Sequence, residues 1–86
     1  MGSASSSVKV QVRYFALLRE ERGSGSENID TSAANAAALY GELKSRYKFS
    51  LTIDHLKVAV NNNFVDWQTS LKDGDEIVFV PPVAGG

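Results

Sequence analysis

From Val8 to Tyr14 the chain alternates apolar and polar residues, Val-Lys-Val-Gln-Val-Arg-Tyr, with β-branched side chains on one side. A period of two is what a half-buried strand requires, and this is the clearest strand in the chain. The pattern then changes. Residues 15–22 are good helix formers, Phe15 and Leu18 lie three apart, and Gly23 stands where a helix C-terminal cap falls, which predicts one or two helical turns. Ser24-Gly25-Ser26 is a turn, and residues 27–30 are long enough only for a short strand returning beside the first. The spacing of Ala36, Leu39, Tyr40, Leu43 and Tyr47 predicts the main helix, with all five on its core-facing side. Asn35 is preferred to Ser32 as the cap, because Leu39 then falls at the fourth helical position and can meet Ala34 as a hydrophobic staple.

Residues 48–56 show no period, and Phe49, Leu51, Ile53 and Leu56 are expected as satellite core residues beneath a long connection. Alternation returns at residues 57–61. Asn61-Asn62-Asn63 is then a turn signal, since Asn tolerates the left-handed backbone of tight hairpins, and residues 64–66 are expected to fold back as a short strand. Asp73-Gly74-Asp75 makes another turn and launches Glu76-Ile77-Val78-Phe79-Val80, apolar on both faces as a central strand should be. Strand, short helix, strand, helix, strand, strand, strand implies an α+β fold in which a mixed sheet packs on one main helix. That is the ubiquitin-like β-grasp architecture, with residues 8–80 as the domain, 1–7 as a disordered lead-in and 81–86 as an extended, flexible tail.

Composition narrows the function more than the fold. At 86 residues, with 43% hydrophobic and 22% charged, the chain has one core and little room for a deep enzyme cavity, so function is sought at the surface or at an end. Nine Lys and Arg against ten Asp and Glu give a net charge of −1, with no global attraction for nucleic acid or anionic lipid. No cysteine is present, which removes disulfides, thiolate nucleophiles and cysteine metal sites and suits a reducing cytosol. No apolar run approaches the ~20 residues that span a bilayer. Gly2 with Ser6 fits only the loose acylation pattern.

Catalytic constellations are missing. His55, the only histidine, has no nucleophile motif near it and reads as a solvated loop residue. Asp73, Asp75 and Glu76 lack the loop length and terminal bidentate Glu of a calcium site and read as a charged turn. Gly23 and Gly25 precede no Lys-Ser/Thr and make no phosphate loop. Trp67 and the tyrosines, without a basic cluster, read as core or edge aromatics. No catalytic residue and no metal site are expected.

The unusual segment is Pro81-Pro82-Val83-Ala84-Gly85-Gly86. Paired prolines cannot continue a sheet ladder, so the chain must leave the domain after Val80 in a stiffened, extended form. Six extended residues reach at most roughly 20 Å, enough to carry a terminal carboxylate into a cleft of another protein. Gly85 and Gly86 have no Cβ to block a narrow channel, and Val83 and Ala84 suit an apolar one. A carboxylate is inert as an acyl donor until activated, for example by adenylylation with ATP; its carbonyl then accepts sulfur or a lysine amine. Spacing alone leaves that choice open.

The chain resembles the small, sulfur-carrier subunits of molybdopterin synthase, in the MoaD/ThiS group of ubiquitin-like proteins. Residues 10–20, containing Tyr14-Phe15-Ala16-Leu17-Leu18-Arg19-Glu20, are similar to the family's first strand and its Tyr/Phe-Phe-Ala-x-x-Arg-Glu turn. Val58-Ala59-Val60-Asn61 is similar to its central strand, and residues 71–86 match its ending almost throughout, Pro-Pro-Val-Ala with Gly-Gly being the distinctive part. Val80 departs from the pattern, in which an aromatic residue is frequent. The resemblance implies that Gly86 is adenylylated by a ubiquitin-activating-like enzyme using ATP, becomes a thiocarboxylate, and supplies dithiolene sulfur in the large subunit's active site, converting cyclic pyranopterin monophosphate to molybdopterin. Gly85 would be its slim neighbour, with Pro81, Pro82, Val83 and Ala84 threading behind. It also implies that the chain is not itself catalytic and holds no permanent cofactor, and that two small subunits sit at the far ends of a large-subunit dimer.

An apolar surface drawn from Phe64, Val78 and Val80 is expected to meet the large subunit, with ordinary core as the competing reading for these residues. Three other functions stay open: sulfur carriage for thiazole or transfer-RNA thiolation, conjugation of Gly86 to lysines of other proteins, and a structural adaptor indifferent to its glycines. The Phe-Ala-x-x-Arg-Glu stretch and Pro-Pro-Val-Ala argue against the first.

Overall fold

The computed structural model describes residues 7–81. The expected lead-in apart from Ser7, the acylation pattern, and Pro82, Val83, Ala84, Gly85 and Gly86 lie outside the described residues. The elements run β1 (Val8–Tyr14), α1 (Ala16–Arg22), β2 (Ser26–Thr31), α2 (Ala36–Tyr47), a 3-10 turn (Ile53–His55), β3 (Lys57–Val60), β4 (Asn63–Val65) and β5 (Glu76–Val80). Five strands make one mixed sheet in the order β2-β1-β5-β3-β4. β5 pairs parallel with β1 and antiparallel with β3, so the last strand lies at the centre, as its two apolar faces demand. This is the β-grasp expected from the sequence, with α1 as a second, minor helix.

Alternation assigns the two faces of the sheet. Val10, Val12, Tyr14, Ile77, Phe79 and Val58 turn toward α2 and are buried, and α2 answers with Ala36, Leu39, Tyr40 and Leu43. Tyr47, the fifth residue of the expected helical face, is only partly buried and closes the margin of the core. Asn35 caps α2 as expected, its backbone extended at φ −150° and its side chain accepting from the Ala38 N–H at 2.9 Å. The other first-turn donors are satisfied by the segment before β5: Ala36 N–H donates to the Thr69 carbonyl and Ala37 N–H to that of Trp67. The expected staple does not form. Ala34 is exposed and Ala33 packs on the core instead, because Ala33 N–H donates to the Thr31 hydroxyl at 3.0 Å and that bond turns residue 33 inward.

The connection after α2 is more than a satellite. Phe49 lies in the main core, its ring 5.9 Å from Tyr40 and nearly parallel to it, and 5.6 Å from Tyr14. The buried Tyr40 hydroxyl donates to the Leu51 carbonyl at 2.7 Å and so ties α2 to this connection. Burial, with a smaller push from the Glu21 charge, raises that phenol to about 12. The 3-10 turn was not expected, since three residues carry no readable period. Between β3 and β4, Asn61 and Asn62 both take positive φ, 53° and 74°, the pair of left-handed residues that a two-residue hairpin needs.

Candidate functional site: the sheet end where the tail leaves

β5 delivers the chain to Pro81 at the middle of one sheet end, where register sets Tyr14 beside Phe79 and Lys57 beside Val80. Hydrogen-bonded neighbours on both sides hold this strand, so Pro81 follows directly on a strand paired along both of its edges. Val78 and Val80 belong to the face away from α2. Pairing lines up Phe64, Ala59, Val78 and Arg13 across that open face, one residue from each of β4, β3, β5 and β1. Phe64 is 68% exposed, Val78 and Val80 are half-buried, and none of the three joins the core cluster. The structure therefore brings the three expected interface residues together on one face. The apolar patch is bounded on the β1 side by an ion pair, Arg13 Nε to Glu76 at 2.7 Å.

Two residues at this end escaped the sequence reading. Phe15 and Leu17 are large, apolar and exposed, at 45% and 41%. Phe15 is no part of a helical face: it is the extended residue before α1, at φ −126° and ψ 155°, and only Leu18 of that helix is buried. The signal was present, because the alternation of β1 carried one residue past the inward Tyr14 turns Phe15 outward beside the patch. Ala16, between them, holds a left-handed φ of 52°.

Other candidates are occupied with structure. Asp75 is buried and accepts from Lys72 N–H at 2.8 Å and Asn61 Nδ2 at 2.9 Å, while Asp73 accepts from Lys9 N–H at 2.8 Å. These acids hold the turn before β5 and its neighbouring hairpin. His55 is exposed, with the Thr52 hydroxyl 3.4 Å from its ring. Trp67 stacks on Phe79 at 5.9 Å, and Gly25 gives its carbonyl to Tyr14 N–H. Among the described residues no group of acidic, His or Cys side chains is placed to hold a metal ion, and no helix is long and apolar enough to cross a membrane.

One polar cluster fixes the corner behind the exit. Glu27 accepts from the Tyr14 hydroxyl at 2.6 Å, the Tyr47 hydroxyl at 3.0 Å, and Arg22 through Nε at 3.2 Å and Nη2 at 2.9 Å. Burial alone would raise this carboxyl, but the bonds from Arg22, Tyr14 and Tyr47 outweigh it and hold the group at about 2. Burial and the facing carboxylate push the Tyr14 phenol up. The cluster binds β2 to β1, α1 and α2, and so sets where α1 with its Leu17, and Phe15 just before it, stand.

The sequence profile of the ThiS family matches residues 12–86, from the first strand through the last glycine. The chain belongs to the ThiS family. Within it, the chain groups with sulfur-carrier subunits of molybdopterin synthase: the Escherichia coli protein of that name is 32% identical over 80 residues, spanning 90% of this chain and 99% of the relative. Among solved structures, a Pyrococcus furiosus chain assigned as subunit 1 of the molybdopterin converting factor is 37% identical, with TM-score 0.75 over 88% of this chain and 99% of that one. A Helicobacter pylori chain, solved as a complex of subunits 1 and 2 of that factor, is 31% identical with TM-score 0.63, covering 92% and 100%. Likeness to a Caldiarchaeum subterraneum ubiquitin, 15% identical with TM-score 0.63 over 94% and 100%, is one of fold alone. In this ThiS-family chain the described tail residue, Pro81, is half-buried just past β5.

Proposed function

We propose that this chain is the sulfur carrier of a cytosolic molybdopterin synthase. The family match that runs through Gly86, in company with relatives named for that role, is the observation that carries the reading. The sheet geometry adds a handle, since the apolar patch of Phe64, Val78 and Val80, joined by Phe15, surrounds the strand that ends in the tail.

The chemistry divides between this chain and two partners. A ubiquitin-activating-like enzyme joins the Gly86 carboxylate to the α-phosphate of ATP and releases pyrophosphate. A sulfide-level donor then attacks the acyl carbon and expels AMP, leaving a thiocarboxylate. The tail, with Gly85 and the residues from Pro81 to Ala84, threads into the large subunit, where sulfur passes to cyclic pyranopterin monophosphate and water returns the terminus to a carboxylate. The chain contributes reach, slimness and an acyl terminus, and the large subunit contributes the catalytic groups.

Intact mass tests the reading. After incubation with ATP, a sulfur source and the activating enzyme, exchange of oxygen for sulfur at the acyl terminus adds about 16 Da. Deleting Gly86 leaves the urea unfolding midpoint unchanged and abolishes molybdopterin formation. Molybdopterin formation by the truncated chain overturns the assignment, and lysine conjugates in place of the mass gain move it to a protein modifier.

A further inference from the structure

β2 closes the side of the sheet opposite Phe64: β1 pairs along one of its edges, and no strand among the described residues pairs along the other. Tyr14 N–H donates to the Gly25 carbonyl at 2.9 Å, which fixes the phase of the β1–β2 ladder. Residues 27, 29 and 31 therefore turn their backbone groups toward β1, while Ser26, Asn28 and Asp30 turn theirs toward the open edge. All three are exposed. Ser26 is already served, since its carbonyl accepts from the Ser24 hydroxyl at 3.0 Å and its N–H reaches the same oxygen at 3.5 Å. The N–H and carbonyl groups of Asn28 and Asp30 have no protein partner among the described residues.

We propose that this edge pairs with itself: β2 of a second copy of this chain lies antiparallel beside it, about a two-fold axis at Ile29, and the two sheets become one. Outward groups must meet outward groups, which leaves few registers. Asn28 opposite Asn28 would set Ser26 against Asp30 of the second copy, and the Ser26 groups are taken. Asp30 opposite Asp30 would face two carboxylates across the join, which is unfavourable. Asn28 opposite Asp30 has neither fault. It makes two equivalent bonded pairs, each exchanging both backbone bonds, and brings the Asn28 amide beside a carboxylate that accepts from it. Ile29 and its copy then form the non-bonded pair between them, with Cα atoms about 4.5 Å apart and apolar side chains together on the α2 face. An acid on an edge strand ordinarily discourages pairing; in this register it is met by a donor. β1, β5 and β3 separate β2 from Phe64 and β4, so the pair leaves both open faces and both tail exits free. The inference does not depend on the sulfur-carrier reading. A contact of one short strand belongs with interfaces below about 1,200 Å², which are transient, so the pair forms in concentrated solution and parts on dilution.

The absence of cysteine from the chain lets one thiol report the register. Ile29→Cys sets two thiols across the axis at a Cα separation that a disulfide spans, whereas His55→Cys, on the exposed 3-10 turn, measures chance collision. Both full-length variants are oxidised side by side, and the parent is sedimented from about 10 µM to about 1 mM, the range of weak association. Ile29→Cys should form covalent dimer at least about tenfold faster than His55→Cys, because pairing raises the local thiol concentration. The parent's mass should rise from one chain toward two. Asn28→Pro removes only an N–H that points away from β1, and Asn28→Asp sets an acid opposite Asp30; each should hold the chain single at concentrations where the parent pairs, with circular dichroism confirming the fold. If the parent keeps the mass of one chain at about 1 mM, self-pairing is overturned and the edge is left to an extended segment of another protein. Equal oxidation of Ile29→Cys and His55→Cys overturns it as well, as does a folded Asn28 variant that associates like the parent.

Discussion

Glu27 shows how much one carboxylate can organise in a domain of this size. Its two oxygens accept four donors, from Tyr14, Tyr47 and twice from Arg22, whose guanidinium also lies 4.2 Å over the Tyr47 ring. None of these partners is a sequence neighbour of Glu27, so the group pins four elements that the backbone alone leaves separate. Folding lowers this carboxyl from its ordinary value of 4.5 to about 2, so the folded state favours the ionised form. The stabilisation is complete above pH 4.5 and is lost as pH falls from there toward about 2. Glu27→Gln should cost about 1.5–3 kcal/mol, the range for hydrogen bonds to a charged group. It should also flatten the acid limb of a plot of urea midpoint against pH, and an unchanged acid limb would assign that limb to other carboxylates.

Elements were legible where their signals are local. The strict alternation of β1 fixed its bounds, and Asn35 announced the start of α2 because a cap needs only one short polar side chain at the right offset. Asn35→Ala should therefore destabilise the domain by about 1 kcal/mol, read as a fall in urea midpoint with unchanged slope. Retention of the midpoint would mean that the bonds from Ala36 and Ala37 to the 67–69 segment hold the helix start without the cap. What the sequence hid depends on contacts between distant residues. Phe49 lies in an aperiodic stretch, and only the rings of Tyr14, Tyr40 and Tyr47 around it make it core. The spacing of Phe15 to Leu18 predicts that Phe15 is helical, whereas the helix begins one residue later. The choice of Ala33 over Ala34 depends on a bond that the Thr31 hydroxyl accepts from Ala33 N–H, which no spacing encodes. At the site, the shared face of Phe64, Val78 and Val80 follows from period and pairing.

Across the whole molecule the two faces of the sheet carry separate tasks, and β5 divides them residue by residue. Ile77 and Phe79 are fully buried toward α2, while Val78 and Val80 lie on the face that α2 leaves open. Stability and partner binding can thus be altered independently. Phe64, on the edge strand and 68% exposed, contributes little to folding, so Phe64→Ser should move stability by no more than about 0.5 kcal/mol. As a central aromatic of the proposed contact, the same change should weaken binding to the large subunit by at least about tenfold, the loss of more than 1 kcal/mol that marks a hot spot. Phe79→Ala, two strands away on the other face, should cost about 3–5 kcal/mol of stability. The pair is read by urea midpoint and by titration against the large subunit at a concentration and temperature where each variant stays folded. Division of labour predicts opposite profiles, with Phe64→Ser folded and unbound and Phe79→Ala destabilised but, while folded, still able to bind. Parallel losses of stability and binding in Phe64→Ser would mean that the open face belongs to the core after all, and the contact with the large subunit would have to lie elsewhere.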